Sequence, residues 1–166
     1  MQEALSFRQR LLSSDGCSFT ADVTADQGDS TYSFQLQCTY RDGKGELTVT
    51  QPETIAGISA ACTNGSDELI FDGTVLALGD LKDGSIAPLS APWLFGSAWE
   101  SDEITSASSE EDGSRMTIQK GYDEEKIFID TWLLDSVPVA GEASDADGRR
   151  ELSVLFHDFR FLEKTP

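Results

Sequence analysis

The sequence predicts an α+β domain, mainly β, in which one antiparallel sheet is built of hairpins and accompanied by two short helices. Polar and apolar residues alternate over long stretches, two segments follow helical spacing instead, and Asp-Gly or Asn-Gly pairs recur between these stretches. Such pairs favour the positive φ angles of two-residue hairpin turns. The chain has seven of them: Asp15-Gly16, Asp42-Gly43, Asn64-Gly65, Asp72-Gly73, Asp83-Gly84, Asp112-Gly113 and Asp147-Gly148.

The first element is a helix predicted over residues 3–13. Ala4, Phe7 and Leu11 recur at helical spacing, with Leu5 and Leu12 beside them. Side chains three and four residues apart share one face of a helix. We therefore expect an amphipathic helix that packs through this face.

A period of two begins at residue 17 and predicts half-buried strands in meander order. A two-residue turn at Gln27-Gly28 sets Phe19 opposite Leu36, and another at Asp42-Gly43 sets Leu36 opposite Val49. Both registers keep apolar residues opposite apolar residues. A slip of one residue would move every apolar side chain to the other face of the sheet.

The first of these registers places Cys17 directly opposite Cys38. In a non-hydrogen-bonded antiparallel pair the two Cα atoms are about 4.5 Å apart, which is compatible with a disulfide after slight widening. The alternative is a pair of reduced, buried thiols that act as small apolar side chains. Cys62 remains without a cysteine opposite it, and we expect it to be buried.

The second half of the chain predicts a helix between two portions of the sheet. Residues 69–78 form one bent strand or a tight hairpin, and Ser90-Ala91-Pro92 begins a helix that extends over about 90–100. The acidic, Ser-rich residues 100–113 form a mobile loop or a polar edge strand. The whole chain, 1–166, is expected to be a single domain, with the sheet over 17–80 and 114–161.

This second helix is unusually aromatic for its length. Such a helix can cover the mouth of an apolar hollow in the sheet, where an apolar ligand binds. In the alternative interpretation, its side chains simply fill the hollow. The predicted lining comprises four residues of the sheet and four of the helix: Phe19, Phe34, Leu36, Val49, Trp93, Leu94, Phe95 and Trp99.

Composition excludes several classes of partner. Thirty acidic and twelve basic residues give a net charge of −18, which repels nucleic acid and anionic bilayers. No stretch approaches the roughly 20 apolar residues of a membrane-spanning helix, so we expect no transmembrane segment. We also expect no cofactor.

Other candidate sites have simpler explanations. Asp145, Asp147 and Glu151 resemble fragments of a calcium loop, but their spacing fits a solvated hairpin turn better. The consecutive acids at 110–112 and 123–125 lie beside turns rather than facing each other across a cleft. His157, the only histidine, lies within a predicted strand and has no nucleophile motif nearby. We therefore expect neither a catalytic site nor a metal site.

Two stretches resemble the LolA-like lipoprotein-carrier superfamily. One is the segment 68–75, which is similar to the family's hairpin around a "dGk" turn. The other is the C-terminal run from Ile129-Asp130 through Val137-Pro138 and Asp147-Gly148 to residues 154–161. The resemblance covers nearly the whole chain and implies a strongly curved half-barrel with the helices on its concave side. It also implies an exported, envelope-associated protein that binds acyl chains or other apolar molecules.

These observations lead to three functional hypotheses. The first is a non-enzymatic, extracytoplasmic protein that binds a lipid or a lipoprotein acyl chain in its concave face, with any lipid anchor upstream of residue 1. The second is an envelope interaction module of the same fold, with a filled core and a protein partner. The third, a hydrolase that uses His157 and a carboxylate, ranks far behind.

Overall fold

The computed structural model describes residues 1–27, 30–63, 66–71, 74–79 and 88–164. Over these residues the chain forms two helices and eleven strands. The helices are α1 (Gln2–Leu12) and α2 (Ala91–Ser101). The strands are β1 (Cys17–Gln27), β2 (Ser30–Arg41), β3 (Lys44–Gln51), β4 (Ser59–Thr63), β5 (Ser66–Phe71), β6 (Thr74–Gly79), β7 (Glu103–Glu110), β8 (Gly113–Lys120), β9 (Ile127–Leu134), β10 (Val137–Ser144) and β11 (Arg150–Phe161).

All eleven strands belong to one antiparallel sheet. Their order is β6-β5-β4-β3-β2-β1-β11-β10-β9-β8-β7, so two meanders meet where β1 pairs with β11. The sheet is not closed into a barrel, and both helices lie on its concave face. The predicted fold class, a half-barrel built of hairpins with two helices, is therefore confirmed.

Helix α1 packs through the face that its spacing predicts. Ala4, Phe7 and Leu11 are buried, whereas Leu5 and Leu12 are exposed. Glu3 fixes the start of the helix to the sheet, because its carboxylate accepts hydrogen bonds from the Ser114 hydroxyl and from the backbone N–H of Ser136. Neither α1 nor α2, the described α-helices, is long and apolar enough to cross a bilayer.

The two predicted hairpin registers have different outcomes. Between β2 and β3, Leu36 lies opposite Val49, as the turn at Asp42-Gly43 predicts. Both turn residues have positive φ angles, 52° and 74°. Between β1 and β2, however, Phe19 lies opposite Cys38 rather than Leu36. The predicted first register is therefore wrong by two residues, and a shift of two leaves the same side chains on the concave face.

This shift separates the two cysteines of the predicted disulfide. Cys17 lies opposite Tyr40, and Cys38 lies opposite Phe19. The prediction that the two cysteines face each other is therefore wrong. Both are buried free thiols, and burial raises the pKa of Cys17 to about 12. The Gly28 half of the predicted turn lies outside the described residues, as do the pairs Asn64-Gly65, Asp72-Gly73 and Asp83-Gly84.

Two open alternatives in the second half of the chain are also decided. Residues 69–71 and 74–78 belong to two paired antiparallel strands, as the hairpin alternative predicts, because Ile70 of β5 pairs with Val75 of β6. The acidic, Ser-rich stretch forms β7, a largely exposed strand at one edge of the sheet. An exposed edge strand that carries Ser, Thr and Glu is poorly suited to pairing with another chain.

The revised register predicts the outcome of a thiol titration. We expect unfolded protein, prepared without reductant, to react with a thiol reagent at all three cysteines of the chain. In the native state Cys17 and Cys38 should react slowly, because burial raises their pKa and little thiolate is present near neutral pH. A single reactive thiol in the unfolded, unreduced protein would contradict the register.

Candidate functional site

The concave face is occupied by α2. This helix follows a short 3-10 turn at Pro88–Ser90 and has Pro92 in its first turn, where the missing N–H costs no helical hydrogen bond. All nine residues from 91 to 99 are buried. An α-helix that is apolar on every side must be enclosed, and here the curved sheet and α1 enclose it.

The four lining residues that the sequence predicts on this helix all lie in the core. The exposed fraction is 9% for Trp93, 3% for Leu94 and 0% for both Phe95 and Trp99. The sequence left two alternatives open, a helix that covers the mouth of a hollow and a helix whose side chains fill it. The helix lies deeply enough in the concave face for opposite sides of it to be buried.

The centre of the packing is Trp99. Its ring centroid lies 5.4 Å from that of Phe7 on α1, 6.0 Å from that of Phe19 on β1 and 5.3 Å from that of Phe156 on β11. These are normal spacings for edge-on aromatic contacts. The indole N–H donates a 2.9 Å hydrogen bond to Oγ1 of Thr131, so the polar atom of this buried ring has a partner.

Two glycines allow the helix to approach the sheet this closely. A Cβ atom added at Gly96 of α2 would lie 2.2 Å from Cγ of Tyr40. One added at Gly141 of β10 would lie 2.5 Å from Cε1 of Phe95. Neither contact leaves room for a side chain, so these positions fix the depth at which α2 lies in the concave face.

The C-terminal end of α2 is bound by a side chain of α1. The guanidinium of Arg8 donates hydrogen bonds to the carbonyl oxygens of Trp99, Ala98 and Asp102, at 2.7, 3.1 and 2.7 Å. The oxygens of Ala98 and Trp99 lie in the last turn of α2 and that of Asp102 directly follows the helix, at the end where the helix dipole also favours a cation. Partial burial lowers the pKa of Arg8, against the opposing effect of Asp102.

Two further polar contacts hold the same end of the helix. The Tyr40 hydroxyl donates a hydrogen bond to Glu100, and burial together with this bond raises the pKa of Tyr40. Nζ of Lys120 on β8 lies 2.8 Å from Oδ2 of Asp102 and 4.8 Å from the ring centroid of Trp93. The helix is therefore fixed by hydrogen bonds as well as by apolar packing.

The predicted lining residues of the sheet lie in the same cluster. Phe19, Leu36 and Val49 are fully buried, and Phe34 is partly buried against them. Phe7, Phe156 and Phe159 join the aromatic contacts but were not in the predicted set. The alternation of the C-terminal strand was a usable signal for Phe156. The structure thus brings the predicted residues together as packed core.

The polar candidates of the sequence lie on the opposite, outer face or in turns. Nε2 of His157 lies 2.8 Å from Oδ2 of Asp22, and both side chains are about half exposed. Oδ1 of Asp145 accepts hydrogen bonds from the backbone N–H groups of Asp147 and Arg149. The Asp145 carboxylate therefore stabilises the β10–β11 turn, as the simpler interpretation predicts.

A shallow polar groove lies beside β2, β3 and β4. Its volume is about 340 Å³, and its lining includes Gln37, Thr39, Thr48 and Ser59. Hydroxyl groups along it already contact one another, as Thr48 and Ser59 do at 3.2 Å. Polar side chains predominate in this lining, to which Leu47 also contributes.

Solved structures of the same architecture give the class to which this fold belongs. A LolA superfamily protein from Nitrosomonas europaea superposes with a TM-score of 0.52 at 11% identity, covering 98% of this chain and 94% of that chain. A domain assigned to outer membrane lipoprotein sorting, from Vibrio parahaemolyticus, gives 0.51 at 12% identity, with coverages of 99% and 93%. A DUF1329 family protein from Desulfovibrio piger gives 0.53 at 8% identity, with coverages of 96% and 90%.

The chain therefore has a LolA-like fold. Neither the protein-family models nor the curated proteins give a match to its sequence. At these identities the likeness concerns the fold alone. The resemblance that the two sequence stretches carry is confirmed at that level.

The close contact at Gly96 predicts that a Gly→Ala substitution destabilises the protein, the opposite of its usual effect in a helix. In an exposed helix Gly→Ala stabilises by about 1 kcal/mol. Here the added methyl group enters the Tyr40 ring, and overpacking costs ~1–3 kcal/mol. We expect Gly96→Ala to lower the free energy of unfolding, measured in urea.

The matched control for this substitution is the Tyr40→Ala background. There the added methyl group has space, so Gly96→Ala should cost much less than in the wild-type chain. If Gly96→Ala stabilises the wild-type protein, α2 does not lie against Tyr40 as described.

Proposed function

We propose that this protein is a non-enzymatic, extracytoplasmic interaction module of the cell envelope, whose concave face is filled by its own helix. The observation that carries the proposal is the burial of Trp93, Leu94, Phe95 and Trp99. Where side chains of the chain itself occupy the hollow, the described residues leave no room for a lipid chain among them. Partner recognition then falls to the outer surface.

Support for the envelope comes from the fold. Proteins with this architecture include a LolA superfamily protein and a domain assigned to outer membrane lipoprotein sorting. In this proposal the chain is exported.

The chemistry of the described side chains supports a non-enzymatic role. His157 and Asp22 form an exposed pair on the outer face of the sheet rather than in a cleft. General acid–base catalysis needs a group placed within hydrogen-bonding reach of a bound substrate. An exposed pair on a sheet surface provides no such enclosure.

A second candidate function is carriage of a lipid or a lipoprotein acyl chain. The feature that favours it is α2 itself, because a helix that is apolar on every side would leave an apolar hollow lined by Phe19, Leu36 and Val49 if it moved outward. In that case the eight predicted lining residues would be ligand contacts. The cost is the loss of the Arg8 hydrogen bonds and of the Trp99 packing.

Lipid extraction separates the two functions. The purified protein is extracted with organic solvent, and the extract is analysed by mass spectrometry. The interaction module predicts far less than one lipid per chain and no saturable binding of a fluorescent fatty acid. Stoichiometric recovery of one lipid class would instead support carriage.

Trp99→Ala provides the positive control for the fatty-acid measurement. Truncating a buried Trp costs about 3–5 kcal/mol and leaves an apolar cavity, and such cavities take up small apolar molecules. Provided that circular dichroism shows the variant to be folded, it should bind an apolar probe that the wild-type protein excludes.

A further inference from the structure

The outer face of the sheet carries an apolar patch. Leu155 is 54% exposed, Leu134 46% and Val139 38%, and Trp132 is partly exposed between them. Together with Ala140 these residues form what we call the outer patch. Single exposed apolar residues are ordinary, but a contiguous group with a polar border is typical of an interaction surface.

The strand register makes this patch contiguous. Trp132 of β9 lies opposite Ala140 of β10, and Ala140 lies opposite Leu155 of β11. Adjacent strands are about 4.8 Å apart, so Trp132 and Leu155 stand about 10 Å from each other on either side of an alanine methyl group. The register therefore sets one small side chain, that of Ala140, between two large apolar ones. The register shift at Pro138/Ala140 leaves Val139 exposed beside it.

Acidic side chains border the outer patch. Asp22 lies opposite Leu155 on β1, while Asp130 and Glu142 lie one step along β9 and β10 on the same face of the sheet. Asp130 binds Arg115 at 2.9 Å, and the guanidinium of Arg115 lies 5.1 Å from the ring centroid of Trp132. Nε2 of His157 lies 2.8 Å from Asp22, and Arg150 lies 3.5 Å from Glu142. Asp130 is only 7% exposed. The border of the outer patch thus carries arginines as well as acids, and its exposed carboxylates are those of Asp22 and Glu142.

The charge of the whole chain selects among the possible occupants. With thirty acidic and twelve basic residues, two copies of this chain repel each other, and an anionic bilayer repels each copy. A cationic protein segment is attracted instead. A partner that inserts an apolar side chain over Ala140 and directs Lys or Arg toward Asp22 and Glu142 complements both the shape and the charge of the patch.

We propose that the outer patch binds a basic, amphipathic segment of a partner protein. The proposal deepens the interaction function proposed above and rests on it. Trp132 and Leu155 provide the apolar contacts, while Asp22 and Glu142, together with the net negative charge of the chain, attract and orient the basic side chains.

The test uses short fluorescent peptides and the whole protein at physiological salt. Three peptides of equal length carry Lys with Leu, Lys with Ser, or Glu with Leu, and binding is followed by fluorescence anisotropy. We expect saturable binding of the Lys–Leu peptide only. Leu155→Ser should weaken this binding at least about tenfold, as truncation of a central interface residue does.

The chain offers a matched control. Leu12 on α1 is 53% exposed, almost the same as Leu155, but it lies on the helical side of the protein. Leu12→Ser should leave the binding unchanged. Both variants should unfold at the same temperature as the wild type, because each replaces an exposed side chain.

Four results would overturn the proposal. In the first, the Lys–Leu peptide does not bind, and in the second the Lys–Ser peptide binds as tightly as the Lys–Leu peptide. In the third, Leu12→Ser weakens the binding as much as Leu155→Ser does. In the fourth, the protein self-associates or binds phosphatidylcholine vesicles, and Leu155→Ser abolishes that association. None of them depends on lipid extraction. If the protein carries no lipid and does not bind the peptide, the proposed interaction function stands but the outer patch is not its binding site. If lipid is recovered in stoichiometric amount, the interaction function itself is contradicted.

Discussion

The packing of α2 within the curve of the sheet is the interaction on which the rest of the structure depends. Trp99 contacts α1 and the paired strands β1 and β11, where the two meanders meet, so one ring joins both meanders to both helices. Gly96 and Gly141 set the depth of the helix, and Arg8 binds its C-terminal carbonyl groups. Truncating such a Trp costs about 3–5 kcal/mol, a large share of the 5–15 kcal/mol that holds a domain folded.

This packing also determines where function can lie. The concave face holds the buried core of the fold, and in this chain the apolar side chains of the sheet and of α2 form one packed cluster there. The outer face holds the polar groove, the His157–Asp22 pair and the outer patch. A scaffold whose interior is packed offers a partner only its surface, and the strong acidity of that surface favours cationic partners.

Hairpins were predictable where the turn itself carried the signal. Asp42-Gly43 gave the correct register, because both positions adopt the positive φ angles that these residues tolerate. At Gln27-Gly28 the register was wrong by two, because a shift of two residues preserves the faces and the alternation pattern cannot detect it. The turn at Asp135 and Ser136 also has positive φ angles at both positions, but Ser is a weak turn signal and the pair was missed. Asp15-Gly16, by contrast, connects α1 to β1 and forms no hairpin.

The sequence predicts which residues meet in the concave face, but not whether they enclose an empty space or fill it. The apolar residues of α2 identified the helix that belongs to the concave face. Whether they line a space or fill it depends on distances of a few tenths of an ångström, such as the contact of Gly96 with Tyr40, which no sequence pattern encodes. The outer patch was missed, although Trp132-Leu133-Leu134 carried a signal. Three consecutive apolar residues in a strand place apolar side chains on both faces of the sheet.

The central claim is that α2 is packed into the concave face in the resting protein, and tryptophan fluorescence tests it most directly. The chain has three tryptophans, and Trp132→Phe leaves only Trp93 and Trp99, which are 9% and 0% exposed. The claim predicts that the emission of this variant is blue-shifted and that acrylamide quenches it little. Most of the emission that acrylamide quenches in the wild type should be absent, because it comes from Trp132. Red-shifted emission that acrylamide quenches freely would show that α2 lies outside the concave face and would contradict the claim.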